Sequence, residues 1–209
     1  MRGFLIVGNN AVSDPFNLND LPGNGRMDIL CRFVAQSLFI SHGIRRDVEV
    51  YLLLLGNPDR PKAIKISGRY VKGMNPDERS IGGLINKALS ITSTDKWVKS
   101  TPGIFVSGKD LSRLLTEISD EKIYNTMAYL REDGADIRYF LKKEMDKMNN
   151  NIFFILGDHL GLKDDEERVV LDKTYNIVAI PTVSLQADQC VVIVNYEFDL
   201  LDAAKNTSY

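Results

Sequence analysis

Along this chain, unbroken apolar runs alternate with stretches in which apolar residues return every third or fourth position. Phe4–Val7 and Val48–Leu55 are of the first kind, which is how strands buried on both faces read. Between them lies GRMDILCRFVAQSLFISHG, where Met27, Leu30, Cys31, Val34 and Leu38 recur at helical spacing. This spacing predicts a helix from Met27 to Ser41, stopped by Gly43. NPDRPK reads as a turn, and KAIKISG alternates as a strand with one exposed face. Pro76 and Asp77 open a helix striped by Ile81, Leu84, Ile85 and Ala88. GIFVSG then predicts a strand, and KDLSRLLTEIS a helix. The second half keeps the rhythm: NIFFILGDH is a strand, KDDEERVVLDK a helix with an acidic start, and YNIVAIP a strand. A last helix carries Ala187, Val191, Val194, Phe198 and Leu201 at spacings of 4, 3, 4 and 3. Strands alternating with helices predict an α/β fold, a largely parallel sheet flanked by helices. No linker, repeat or low-complexity tract interrupts it, so residues 1–209 are expected to form a single domain.

Composition narrows the class. A chain of 209 residues, 44% hydrophobic and 26% charged, supports one substantial core. Cys31 and Cys190 are too few for a disulfide framework, no CxxC pair exists, and His42 and His159 are the only histidines, so no metal site is expected. The apolar run in MRGFLIVGNN is too short for a signal peptide, and no segment approaches the ~20 apolar residues that span a bilayer. The expectation is a reduced, cytoplasmic protein. Its net charge of −2 hides an asymmetry. Residues 1–110 carry 15 Lys and Arg against 10 Asp and Glu, whereas residues 111–209 carry 11 against 18. A basic half is what a phosphate-binding face looks like, although scattered surface charge reads the same way.

The common phosphate and nucleophile motifs are missing. VGNNAVSD follows the first strand, and GNGRMD has Asp28 where a dinucleotide fingerprint needs its third glycine. There is no GxxxxGK[ST] loop and no GxSxG elbow. Asp158 and His159 form a candidate acid–base pair for a hydrolase, but adjacent residues at a strand end point to opposite sides. A strand-terminal turn is the simpler reading.

Four stretches remain: FNLNDLPGNGRMDILCRF, MNPDERS, FILGDHLGL and SLQADQCVVIVNYEFDLL. Together, in this order and spacing, they resemble the TrmY family, archaeal transfer-RNA pseudouridine N1-methyltransferases of the SPOUT superfamily. The resemblance runs from the first strand to about Leu201. It implies a SPOUT fold with a C-terminal trefoil knot formed by about residues 151–202, dependence on S-adenosylmethionine, a homodimer, and the T-arm of tRNA as substrate. The product it implies is N1-methylpseudouridine at T-loop position 54. It also implies that Leu130, Gly157, Ile180, Pro181, Thr182, Val183, Ser184, Leu185 and Cys190 line the cofactor pocket. Such a pocket needs backbone groups facing the adenine and small residues permitting close approach. Cys190 equally fits the apolar helix face as a small hydrophobe, and Ser184 equally fits a helix N-cap.

GRMD resembles the Arg-x-Asp of the related ribosomal-RNA pseudouridine N1-methyltransferases. Arg26 would then hold a uracil carbonyl or phosphate while Asp28 contacts the base edge. Asp28 also reads as a first-turn carboxylate favoured by the helix dipole, and Arg26 as a solvated cation. Arg32, Arg45 and Arg46 are candidate RNA contacts, followed by Asn75, Asp77 and Arg79, with Asp77 also a plausible helix start. Which carboxylate acts as base stays open. A ribosomal-RNA substrate and a non-catalytic RNA-binding SPOUT protein are the alternatives. Finally, Cys190, Val192, Ile193 and Tyr196 widen the last helix's apolar stripe, and Ile29, Phe33 and Ile40 do the same for the first. Such surplus predicts a homodimer built on the last helix, or else a wide internal contact.

Overall fold

The computed structural model describes residues 1–58, 60–145, 151–180 and 183–206. In chain order its elements are β1 (Arg2–Gly8), α1 (Met27–Leu38), β2 (Phe39–Ile40), β3 (Gly43–Ile44), β4 (Val48–Leu54), β5 (Lys62–Ser67), α2 (Glu78–Leu89), β6 (Val98–Thr101), β7 (Ile104–Ser107), α3 (Leu111–Asp120), β8 (Thr126–Asp136), α4 (Ile137–Met145), β9 (Ile152–Gly157), α5 (Asp164–Leu171), β10 (Ile177–Ala179) and α6 (Ala187–Asn206). Every residue of β1 is buried, as its unbroken apolar run requires. Phe4 and Ile6 point into one core, Leu5 and Val7 into the other. Helices α1, α2, α4 and α6 cover the first face, and α3 and α5 the second.

The sheet has eight strands in the order β10-β8-β9-β1-β4-β5-β7-β6. Pairing is parallel from β10 to β4, then antiparallel out to β6. The expected parallel sheet is therefore extended by an antiparallel wing. Strand β5, expected to be half exposed, is mostly buried, because helices cover both faces there. Helix α1 stops at Leu38, earlier than its spacing predicts. Phe39 turns to extended backbone, and β2 pairs antiparallel with β3, so Gly43 sits in a small hairpin and is not the helix stop. Strands β6 and β8 and helix α4 had no counterpart in the apolar pattern. Only the first third of β8 is buried continuously; its remainder, REDGAD, is polar and leaves the interior.

Helix α6 is bound to the sheet and to α1. Phe198 meets Phe154 edge to face with centroids 6.1 Å apart, and Asn195 Nδ2 donates to the Ser37 carbonyl at 3.2 Å. Buried Arg2 donates to Asn195 Oδ1 at 3.0 Å and pairs with Asp199 at 3.1 Å. Ile29 and Phe33 are consumed by the internal core, at 3% and 0% exposure. The surplus apolar surface of α1 is thus intramolecular, apart from exposed Ile40 after its end. On α6 Val192, Tyr196 and Leu200 stay exposed, one helical turn apart from each other. No helix among the described residues is long and apolar enough to cross a membrane.

Candidate cofactor site

Parallel strands ending together leave a crevice at their carboxyl edge. Here it lies beyond β8, β9 and β10, beside the start of α6, and encloses about 610 Å³. Strand β8 forms one wall by an excursion: Tyr129 pairs with Ile177, but pairing resumes only at Ala135 with Val178, so Leu130–Gly134 bow out of the ladder. Gly134 permits this, because a Cβ there would lie 2.5 Å from the Val178 nitrogen. Arg131, Glu132 and Asp133 ride on the excursion and line the cavity. Arg131 is spoken for, pairing with Asp133 and, at 2.8 Å, with Glu167. Of this wall the resemblance implied only Leu130; the charged residues enter it because the bulge turns them toward the crevice.

The second wall is the end of β9. A Cβ on Gly157 would meet the Gly161 backbone at 2.4 Å, so the close approach demanded of Gly157 is to its own turn. That turn is built by Asp158: Oδ2 accepts from the Asn9 N–H at 2.9 Å and Oδ1 from the Leu160 N–H at 2.8 Å. Asn9 Nδ2 closes it by donating to the Gly161 carbonyl at 2.8 Å. With both oxygens so used and His159 Nδ1 3.8 Å away, Asp158 is a turn residue and not half of an acid–base pair.

The third wall is the approach to α6. Val183, Ser184, Leu185 and Cys190 line the cavity with Ile180, whereas Pro181 and Thr182 lie outside the described residues. The Ser184 hydroxyl donates to Glu132 across the crevice, so it does not serve as the N-cap of α6, which starts three residues later. The Cys190 thiol points at the Leu185 carbonyl at 3.8 Å, and burial pushes its pKa up to about 11. It is a neutral, packed thiol, not a nucleophile.

Ile29 of α1 also lines the cavity, whereas Arg26, Asp28 and Arg32, its neighbours in the chain, are not among the lining residues. Arg26 precedes this helix in left-handed backbone, φ 63° and ψ 38°, a conformation rare for a residue with a Cβ. Its Nε and Nη2 donate to Asp28 Oδ1 and Oδ2, each at 3.0 Å, and Arg32 Nη1 adds a third bond to Oδ2 at 3.0 Å. Burial alone would raise the Asp28 pKa, but these bonds outweigh it and hold the carboxyl below the usual range. The Arg26 side chain remains 41% exposed.

The other candidates lie elsewhere. Arg45 is held bidentately by Asp199 at 2.8 and 2.6 Å, and Arg46 donates to the Gly68 carbonyl at 2.8 Å. Both precede Val48, which pairs with Arg2 at the amino end of β1, so they occupy the sheet edge opposite the crevice. Asp77 is the N-cap of α2, accepting from the Ser80 N–H at 2.7 Å. The Asn75 N–H donates to the Ser80 hydroxyl at 3.1 Å, and Arg79 donates to Asn19 at 2.6 Å. None of these five lines the cavity. Among the described residues no three His, Cys, Asp or Glu side chains converge as metal ligands would.

A crevice at the carboxyl edge of the parallel strands, walled by β8, β9, β10 and the approach to α6, defines a ligand-binding α/β protein. Residues 1–203 match the family described as "Putative SAM-dependent RNA methyltransferase", and the chain belongs to that family. A protein of Methanococcoides burtonii named tRNA (pseudouridine(54)-N(1))-methyltransferase is 44% identical over 201 residues, 95% of this chain and 96% of that one. One of the same name from Methanosarcina acetivorans is 44% identical over 207 residues, 98% of this chain and 94% of that one. Among solved structures, Archaeoglobus fulgidus Nep1 bound to S-adenosylhomocysteine superposes with a TM-score of 0.64 at 14% identity, covering 96% of this chain and 98% of that one, which shows a shared fold.

The family's cofactor, S-adenosylmethionine, fits the residues present. Leu130, Ile180 and Leu185 offer apolar walls to a purine, and Gly161, where a Cβ would meet nothing within 4 Å, leaves backbone open to it. Glu132 and Asp133 supply acceptors for the hydroxyl and ammonium groups that such a molecule carries.

Proposed function

We propose that this protein methylates N1 of pseudouridine at position 54 of the tRNA T-loop, using S-adenosylmethionine. The observation that carries the reading is a crevice that fits the cofactor, lined in part by Ile29 of the helix at whose start Arg26 is pinned by Asp28. Nearly full-length similarity to relatives bearing that name supports it. When bound, the cofactor supplies a methyl group on a sulfonium. The chain's part is to hold two reactants in line and exclude alternatives. Leu130, Gly157, Ile180, Val183, Ser184, Leu185 and Cys190 form the cofactor walls in this reading. Arg26 presents its exposed guanidinium to a uracil carbonyl or a phosphate, and Arg32 supports it. Asp28, its two oxygens held by two arginines, orients Arg26. The reading includes one domain, a knot in residues 151–202, a homodimer and work on tRNA in the cytoplasm.

The test offers the protein labelled S-adenosylmethionine and T-arm hairpins carrying either uridine or pseudouridine at position 54. Mass spectrometry is expected to find one added methyl on the pseudouridine hairpin alone. Methylation of a ribosomal pseudouridine hairpin in preference to the T-arm would move the substrate to ribosomal RNA. Equal methylation of the uridine hairpin would overturn the assigned atom.

A further inference from the structure

Asp188, in the first turn of α6, is a buried carboxylate for which the site described above has no use. Its Oδ2 faces Arg32 Nε at 3.5 Å, while Oδ1 is enclosed and has no hydrogen-bond partner among the described residues. A buried carboxylate oxygen without a donor is costly, so stability alone does not account for an aspartate here. What it touches suggests why. Arg32 meets both Asp28, at 3.0 Å, and Glu78, at 3.2 Å, through the single nitrogen Nη1. Bonds to one nitrogen leave a guanidinium free to swing about it; among the described residues Asp188, in ion-pair contact, is the carboxylate that faces the Nε edge and biases the plane. Arg32 so fixed donates to Asp28, whose two oxygens hold Arg26 in its left-handed backbone. Residues in such backbone persist only where the surroundings over-determine them. Ala187 and Cys190, on either side of Asp188, line the cofactor cavity.

We infer that Asp188 is a positioning residue for methyl transfer: through Arg32 and Asp28 it sets Arg26, joining the cofactor wall on α6 to the RNA-facing residue on α1. The inference rests on the proposed role of Arg26, and its test separates the two. Full-length protein with 15N-labelled arginine gives Nε–H signals, that of Arg26 assigned through Arg26→Lys. Asp188→Asn is expected to broaden or shift the Arg26 signal and to slow single-turnover methylation of the pseudouridine hairpin about tenfold at saturating reactants. Affinity for S-adenosylmethionine should stay within about twofold, and Asp188→Glu should recover part of the rate. In an Arg32→Lys background Asp188→Asn should cost nothing further, since the two act as one unit. If Asp188→Asn does not fold, Arg32→Lys should show the same loss of the Arg26 signal. An unmoved Arg26 signal overturns the inference, as does loss of cofactor affinity with an unchanged saturated rate. A wild-type protein that methylates no RNA defeats the functional reading, while the signal still decides the relay.

Discussion

Arg26 and Asp28 show how much a neighbourhood adds to two residue types. By local pattern Asp28 and Asp77 each read as a carboxylate at a helix start, and only the Arg-x-Asp resemblance sets Asp28 apart. Asp77 turns out to cap α2 from the surface, whereas Asp28 is buried beneath two guanidinium groups. Arg26→Lys keeps the charge but loses the bidentate fork. It is expected to lower saturated turnover by about 10²-fold with cofactor affinity unchanged, which isothermal calorimetry and single-turnover kinetics can separate. The pH dependence follows from the lowered folded-state pKa of Asp28. A depressed carboxyl stabilises the fold fully above its unfolded value of about 3.9, and that stability is lost as pH falls through the folded value. Asp28→Asn should therefore flatten part of the acid limb of the melting curve below about pH 4 and leave the pH 6–8 slope unchanged. A loss of slope near neutrality instead would mean that Asp28 titrates there.

Elements place these residues by features that a residue list does not carry. The crevice wall made by β8 depends on a five-residue excursion from the ladder, and the wall made by β9 depends on a turn so tight that Gly157 and Gly161 meet backbone to backbone. Sequence reasoning expects Gly157→Val to spare the fold and block only the ligand. The 2.4 Å approach to Gly161 argues otherwise. Gly157→Val should destabilise the protein by about 1–3 kcal/mol, as overpacking does, and abolish cofactor binding with it. Denaturant unfolding measures the first and calorimetry the second. Unchanged stability would mean that the Asp158 turn gives way freely. Helix ends were harder to read than helix faces: α1 ends at Leu38 because Phe39 goes into a hairpin, and nothing in the local period signals that.

At the scale of the whole molecule, the sheet order decides which cations can share a site. The crevice is at the carboxyl edge, where Gly157 pairs with Val7, while Arg45 and Arg46 sit at the amino edge, about 20 Å away along a seven-residue strand. Within one subunit those two arginines brace α6 and the β5 loop. The apolar surplus divides in the same way: α1 spends its own inside, but Val192, Tyr196 and Leu200 of α6 face outward. An exposed apolar row of this kind fits a second copy of the chain. Sedimentation equilibrium at micromolar concentration is expected to give a dimer, and Tyr196→Glu to shift it toward monomer. A wild-type monomer with full methylation activity would leave that row without an assembly role.

Periodicity alone determined the alternating α/β character, the buried central strands β1, β4 and β9, and the helical stripe of α6, because each follows from which residues water rejects within one element. The four family stretches added the class of chemistry. Tertiary structure alone decided that β8 and α4 exist between polar flanks, that Asp158 ties a turn, that Glu132 answers Ser184, and that Asp188 lies behind Arg32. All of these join residues distant in the chain. A carboxylate's role depends on which donors reach its oxygens, and chain order does not record that distance.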